Sequence, residues 1–435
     1  MAWLSRIQGY AFGLPPSTLI LSLAAFVLIS NILYRIVRWR RLRHVPGPPL
    51  AGWTSLWLTR AYMTHGWAEH YTQLAAKYGP VVRVAPNKVV VNDVETLYRI
   101  SSVRSEYGKD DWYRSLKIFN DGHHIVTLMT PDERRERKKA IGPGYMGRDG
   151  VNFEVGADKG LQSFIDLIER KYISERGRYI AVDLNEKILF YAIDSIGEIA
   201  YSNSFGMVDN DTDMYGIVAA NDAALPLARV VGDHLWLHRM IHRWPLSKLL
   251  PRDGDEVGLG AVIGRVNELV TKRLNPDPTK PKKHYPDMLQ SFIQHGIHGH
   301  DLRQEVGVQF FAGSDTVASF LRTTLLLLIT HPTSYLRLQA EIDAAYAAAP
   351  WEGIVRDAVA RDLPYLQAVV REGLRMFPPA VVPPFWKTVQ PGGDELLGFK
   401  LPAGTGVCTS TPVWVSCREE GFWGGDAAGW RPERW

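Results

Sequence analysis

The sequence predicts a mainly α-helical protein with small β-sheets, an α+β fold, carried behind an N-terminal transmembrane helix. The observations that predict it are a long apolar stretch at helical period over residues 301–330, a charge-bearing helix between prolines at 364–379, and an uncharged apolar run near the N-terminus. The 435 residues are 46% hydrophobic with no low-complexity tract, enough apolar content for one large core. The formal net charge of +4 is small for this length and gives no reason to expect nucleic acid as a partner. Cys408 and Cys417 alone cannot make a disulfide framework and suit a reducing compartment.

Residues 7–34 carry no charged side chain, and 17–34 are dense in Leu, Ile, Val, Phe and Ala. About 20 apolar residues span a bilayer, so the run is long enough to anchor the chain. Arg35, Arg38, Arg40, Arg41 and Arg43 follow, and positive flanks stay cytosolic, which places the rest of the chain in the cytosol. A long core with its charge behind it favours an uncleaved anchor over a signal peptide. His44-Val-Pro-Gly-Pro-Pro-Leu50 reads as a stiff hinge, because Pro46, Pro48 and Pro49 lack backbone donors. An amphipathic helix is expected over 66–78 and a β-hairpin over 81–93, turned at Pro86-Asn87. Residues 105–127 are polar, aromatic and irregular. Thr130-Pro-Asp-Glu133 is a helix start, with Thr130 as cap and acidic residues at the positive end of the helix dipole. Arg134, Arg135, Arg137, Lys138 and Lys139 follow on that helix. Further helices are expected over 154–205 and 255–274, with a Pro and Lys loop over 275–283.

The stretch over 301–330 would run about 45 Å as one helix, an axis on which others pack. Its apolar positions include Val306, Phe310, Phe311, Val317, Phe320, Leu321, Leu325 and Leu328. At its centre, Ala312 and Gly313 remove bulk, and Ser314, Asp315 and Thr316 put polar groups into apolar surroundings. One reading is a local helix distortion opening a groove for a planar ligand, with Thr316 and Asp315 relaying protons. The other is a glycine for close helix packing and a threonine bonded back to its own helix. The later helix starts at Pro364 and stops at Pro378-Pro379. Within it, Glu372 and Arg375 lie three apart on one face, able to pair, and Arg434 of Arg431-Pro-Glu-Arg-Trp435 would complete a charge cluster.

Ala-Gly-Ser-Asp-Thr at 312–316, Glu372-x-x-Arg375 and Pro-Glu-Arg-Trp at 432–435 resemble, in order and rough spacing, the motifs of cytochrome P-450 monooxygenases. The style is similar to the membrane-bound fungal enzymes of secondary metabolism, and the resemblance runs from His44 onward. It implies residues 1–43 as membrane anchor and basic flank, 44–52 as hinge and 53–435 as the catalytic domain of a cytochrome P-450 fold. It implies haem as cofactor, an NADPH-dependent reductase as electron donor, O2 and an apolar small molecule as substrates, and an endoplasmic reticulum location facing the cytosol. By this resemblance Asp315 and Thr316 deliver protons, Ala312 and Gly313 lie on the haem side of the helix, and Glu372, Arg375 and Arg434 form a structural charge cluster. Arg134 and Lys138, counted back from Tyr145, would hold a haem propionate, and so would Lys387. Lysine at 138 and 387 replaces the family's arginine and loses its fork of donors. For Arg134 and Lys138 a solvated basic face is the alternative. Trp112, Tyr113 and Phe119 would line a substrate loop or pack as ordinary surface loop, and helices over 210–250 would roof the pocket or form plain core.

The sequence departs from the family at the iron ligand. The family's thiolate sits in a Gly-x-Arg-x-Cys loop after the Pro-Glu-Arg segment, whereas Cys408 and Cys417 both precede Pro432 and lack the Gly and Arg neighbours. Both read as small semi-buried residues, and no metal ligand is assigned. The expectation is a chain that lacks the ligand loop and final helix, with a catalytically inactive, haem-poor remnant as the alternative to the monooxygenase. A nonenzymatic lipid-binding membrane protein has only the apolar pocket helix in its favour.

Overall fold

The computed structural model describes residues 16–64, 67–119, 121–220, 230–279, 284–379, 385–409 and 411–435. Parts of the apolar run (7–15), the first helix (66), the pocket roof (221–229), the Lys loop (280–283) and the stretch after Pro379 (380–384) lie outside the described residues. The chain packs as two compact units. One comprises the residues up to Tyr107 with Lys387–Cys408, the other Gly108–Trp386 with Thr409–Trp435.

In the first unit, α1 (Pro16–Arg41) presents Ile20, Leu21, Phe26 and Leu28 outward and is a candidate membrane anchor by length and composition. It runs further than the apolar pattern suggests, because arginine is a good helix former and Arg35 donates to Asn31 one turn back at 2.7 Å. The basic residues Arg38, Arg40 and Arg41 therefore ride on its last turn, where cations complement the dipole. α2 (Leu56–Met63) and α3 (Trp67–Tyr78) lead to β1 (Val81–Ala85) and β2 (Lys88–Val91), an antiparallel hairpin turned at residues 86–87. The hinge is held by β1. Buried Arg83 donates to the carbonyls of Trp39 (3.2 Å), Gly52 (3.1 Å) and Pro86 (2.8 Å), and its backbone N–H donates to Pro46. Next comes α4 (Val94–Ser101), capped by the Asp93 carboxylate. The late strands are β3 (Trp386–Thr388), β4 (Asp394–Leu396), β5 (Phe399–Leu401) and β6 (Gly406–Cys408). The strands run in the order β1-β2-β6-β3, with β6 parallel to β2, while β4 and β5 form a separate hairpin.

In the second unit, α5 (Pro131–Tyr145) opens with a capping box, the Thr130 hydroxyl accepting from the Glu133 N–H and the Glu133 carboxylate accepting from the Thr130 N–H. α6 (Phe153–Lys171) and α7 (Leu184–Tyr201) follow, then a short α8 (Leu235–Ile241), α9 (Gly258–Leu274) and α10 (Met288–Gln294). The axis is α11 (Gly299–Thr330), 32 residues and about 48 Å long. It packs on α7: the Tyr201 hydroxyl donates to the Val306 carbonyl at 2.7 Å, and Phe205 meets Phe310 edge to face at 4.8 Å. Phe190, Ile193, Val262, Phe292, Leu302 and Val306 are among the buried residues of this core. α12 (Pro332–Ala348) and α13 (Pro364–Met376) complete the unit, α13 spanning the prolines as the sequence predicts.

Candidate active site

At the C-terminal end of α13 the helical spacing that places Glu372 and Arg375 on one face produces a forked pair. Arg375 donates from Nε and Nη2 to the two Glu372 oxygens, each at 2.7 Å, and both side chains are buried. Arg375 also donates to the carbonyls of Cys417 (2.7 Å), Ala427 (2.6 Å) and Gly429 (2.8 Å). Arg434 reaches Glu372 at 3.2 Å, joined by the Arg431 N–H (2.8 Å) and the Trp435 indole (3.1 Å). Burial works against the Glu372 charge, but Arg375 and the other donors outweigh it and hold the carboxyl below its ordinary range. The structure thus brings the three predicted charges together as a clamp that draws the last 20 residues onto α13.

Midway along α11 the helix is unbroken. The distortion that the sequence allowed at 312–316 does not occur, because the polar side chains satisfy themselves locally. Ser314 donates to the Phe310 carbonyl (2.7 Å) and Thr316 to the Ala312 carbonyl (2.8 Å). Gly313 packs tightly against α7, since an added Cβ would lie 2.8 Å from the Ile196 side chain. Ala312 and Asp315 face open solvent and Thr316 is half-buried beside them. The turns from 312 to 316 therefore offer one small-residue face with a carboxylate and a hydroxyl on its rim.

A cationic cluster stands on α5. Lys109 donates to the carbonyls of Ile125 (3.1 Å), Val126 (2.7 Å) and Leu128 (3.2 Å), and Arg134 donates to the Met129 carbonyl (3.2 Å). Burial, then the nearby charges of Arg134 and Lys138, pull the Lys109 ammonium down to about 8. Among the described residues, none of these cations is paired with a carboxylate. Lys387, in the first unit, donates to the Ile100 carbonyl at 2.6 Å. Of the predicted loop residues, Trp112 is buried and packs edge to face on Tyr113 and Phe385, whereas Phe119 lines a cavity.

The N-terminal turns of α11 carry polar residues that the apolar pattern concealed. Half-buried Arg137 of α5 donates to Glu305 (2.7 Å) and Asp301, and Asp301 also accepts from the His123 N–H at 2.7 Å. Burial pushes the Glu305 carboxyl up to about 7 despite Arg137. Gln304, fully buried, accepts from the Ile118 N–H (3.2 Å) and donates to the carbonyls of Phe119 and Asp121, each at 2.8 Å.

A sequence model of the cytochrome P450 family matches residues 46–435. The chain belongs to that family. It is 37% identical to cytochrome P450 monooxygenase ABA1 of Pyricularia oryzae over 425 residues, covering 96% of this chain and 81% of that protein. It is 33% identical to cytochrome P450 monooxygenase aba1 of Botryotinia fuckeliana over 399 residues (90% and 77%) and 28% identical to cytochrome P450 monooxygenase abl1 of Leptosphaeria maculans over 423 residues (96% and 73%). The cytochrome P450 family implies a haem. Arg134 and Lys138, which have no carboxylate partner among the described residues, have the charge for its carboxylate edge, whereas the three donors of Lys109 are already taken by backbone carbonyls. The cysteines do not fit the iron: Cys408 is fully buried in β6, and burial pushes the Cys417 thiol up, away from thiolate. Lys109 escaped the sequence reading because it lies outside the α5 motif, in a segment brought alongside by the fold. A lysine followed by 15–20 residues of irregular chain before a basic helix is at best a weak signal.

Proposed function

We propose that this cytochrome P450 is a membrane-anchored haem-thiolate monooxygenase of fungal secondary metabolism. Residues 1–43 act as a single-pass anchor in the endoplasmic reticulum, 44–52 as the hinge and 53–435 as the cytosolic catalytic domain. Haem, when bound, activates O2 so that one atom enters an apolar small molecule and the other leaves as water, with electrons from an NADPH-dependent reductase. The observation that supports the reading is the pair Arg134 and Lys138 on α5, beside Lys109 and with no carboxylate partner among the described residues, which a dianionic cofactor edge would neutralise. Ala312, exposed on α11, gives a small-residue face for a planar ring, and Gly313 beside it lets that stretch of helix pack close on α7. The Thr316 hydroxyl, held on the Ala312 carbonyl, and the exposed Asp315 carboxylate beside it pass protons inward from solvent. Glu372, Arg375 and Arg434 hold the scaffold and touch no substrate. In this reading neither Cys408 nor Cys417 supplies the thiolate, because both lack the surroundings that favour one.

The test is to express the chain together with the coding sequence downstream of Trp435 and record the carbon monoxide difference spectrum. A thiolate-type band, weakened in Arg134→Met and Lys138→Met, supports the reading. A preparation that takes up no haem, or one whose spectrum ignores both substitutions, refutes the haem assignment or the cation roles respectively.

A further inference from the structure

Beside the N-terminal turns of α11 the second unit encloses a cavity of about 730 Å3, within the range of small-molecule sites. Ile118, Phe119, Ile241 and Ile263 supply apolar wall. Among the charged groups in the wall, Lys117 and Arg303 are half-buried, whereas Asp121, Arg252 and Asp253 are solvent-exposed. Its interior is therefore positive. Among the described residues neither Lys117 nor Arg303 forms a hydrogen bond or ion pair. Burial lowers the Lys117 ammonium, a penalty on its charge that a bound anion would relieve. His238, on α8, also lines the cavity. Burial, then His242 and Lys117, push its imidazole down to about 4, so it is neutral at physiological pH and able to share a hydrogen bond.

The cations are also held in place. Gln304 pins the backbone of residues 118, 119 and 121 to α11, next to Arg303 in sequence, so the Lys117 loop cannot drift from the helix without breaking buried hydrogen bonds. A positioned pair of cations above an apolar wall favours an anionic ligand, because a neutral apolar molecule would leave both without a bonded partner, Asp121 and Asp301 acting on Lys117 only from a distance.

We propose that this cavity takes an amphipathic organic acid, its carboxylate held by Lys117 and Arg303 and its apolar skeleton laid against Ile118, Phe119 and Ile263. Calling that acid the substrate rests on the monooxygenase reading; the charge preference does not. The full chain in lipid nanodiscs is titrated calorimetrically with naphthalene-2-acetate and with its uncharged amide. The acid should bind at least about tenfold tighter at low salt. That advantage should shrink at about 1 M salt, where charges separated by more than about 3 Å are screened. Lys117→Met and Arg303→Met should each remove most of it, and Lys117→Arg should retain it, with circular dichroism verifying the fold of each variant. Equal binding of acid and amide, no binding of the acid at millimolar concentration, or a preference that survives in the double variant overturns the proposal. The carbon monoxide spectrum of the downstream-extended chain reads haem separately, so failure of either claim leaves the other standing or falling by itself.

Discussion

Replacing Arg375 with Ala is the perturbation whose size the structure constrains best. The guanidinium makes two bonds to Glu372 and three to the carbonyls of Cys417, Ala427 and Gly429, all at 2.6–2.8 Å. Each orphaned buried acceptor costs about 1–3 kcal/mol. Glu372 would keep Arg434, the Arg431 N–H and the Trp435 indole, so its charge is only partly stranded. Water entering the void left by Arg375 recovers part of the carbonyl loss. The expected net destabilisation is about 4 kcal/mol, in line with breaking a buried pair and a large fraction of a domain's stability. Arg375→Lys should recover less than half, since an ammonium cannot reproduce the fork. Urea denaturation followed by tryptophan fluorescence measures it directly, because Trp423 lies 5.2 Å from the Arg375 guanidinium and Trp435 bonds Glu372. A midpoint shift worth less than about 1 kcal/mol at unchanged slope would refute the clamp.

Glu305→Gln should alter the pH dependence of stability. A glutamate titrates near 4.5 when unfolded and here at about 7, so the folded state holds its proton longer. Its contribution is fully present below 4.5 and declines as pH rises to 7, by about 3 kcal/mol in all. The difference between wild type and variant should change by that amount across the window, and parallel curves would contradict it. Gly313→Ala gains about 1 kcal/mol of helix propensity but forces the Cβ against Ile196, costing about 1–3 kcal/mol. Net loss of thermal stability that Ile196→Ala relieves is the expected result. In haem-loaded enzyme, Thr316→Ala should consume O2 without matching product, and unchanged coupling would remove Thr316 from proton delivery.

How much of this was legible in the sequence depended on how far each partner lay along the chain. The hairpin at 81–93, the helix over 364–376 and the Thr130 cap are set by contacts within a few residues, and each appears where local chemistry predicts. The Glu372 and Arg375 pair was visible for the same reason, and Arg434 because its motif travels with theirs. Gln304 and Glu305 were not visible. Their partners lie more than 160 residues away on α5 and the loop before it, so the stretch read as an apolar helix. Asp301, Gln304 and Glu305 at i, i+3 and i+4 on such a helix were the available signal, since buried polar groups on one face require partners. The helix distortion failed because Ser314 and Thr316 satisfy themselves within one turn, leaving nothing to pull the backbone open.

The clamp on α13 also sets an order of assembly. Arg375 and Glu372 leave the ribosome 59 residues ahead of Arg434, and the carbonyls that receive Arg375 belong to residues 417–429. At about 5–20 residues per second, that interval lasts about 3–12 s. During it the helix exists with its guanidinium and carboxylate joined to each other but uncapped from outside. Closure of the clamp is therefore a late event of biosynthesis, and a nascent chain arrested before residue 417 should expose the Glu372 and Arg375 face of α13, though not its side against α11 and α12, to proteases.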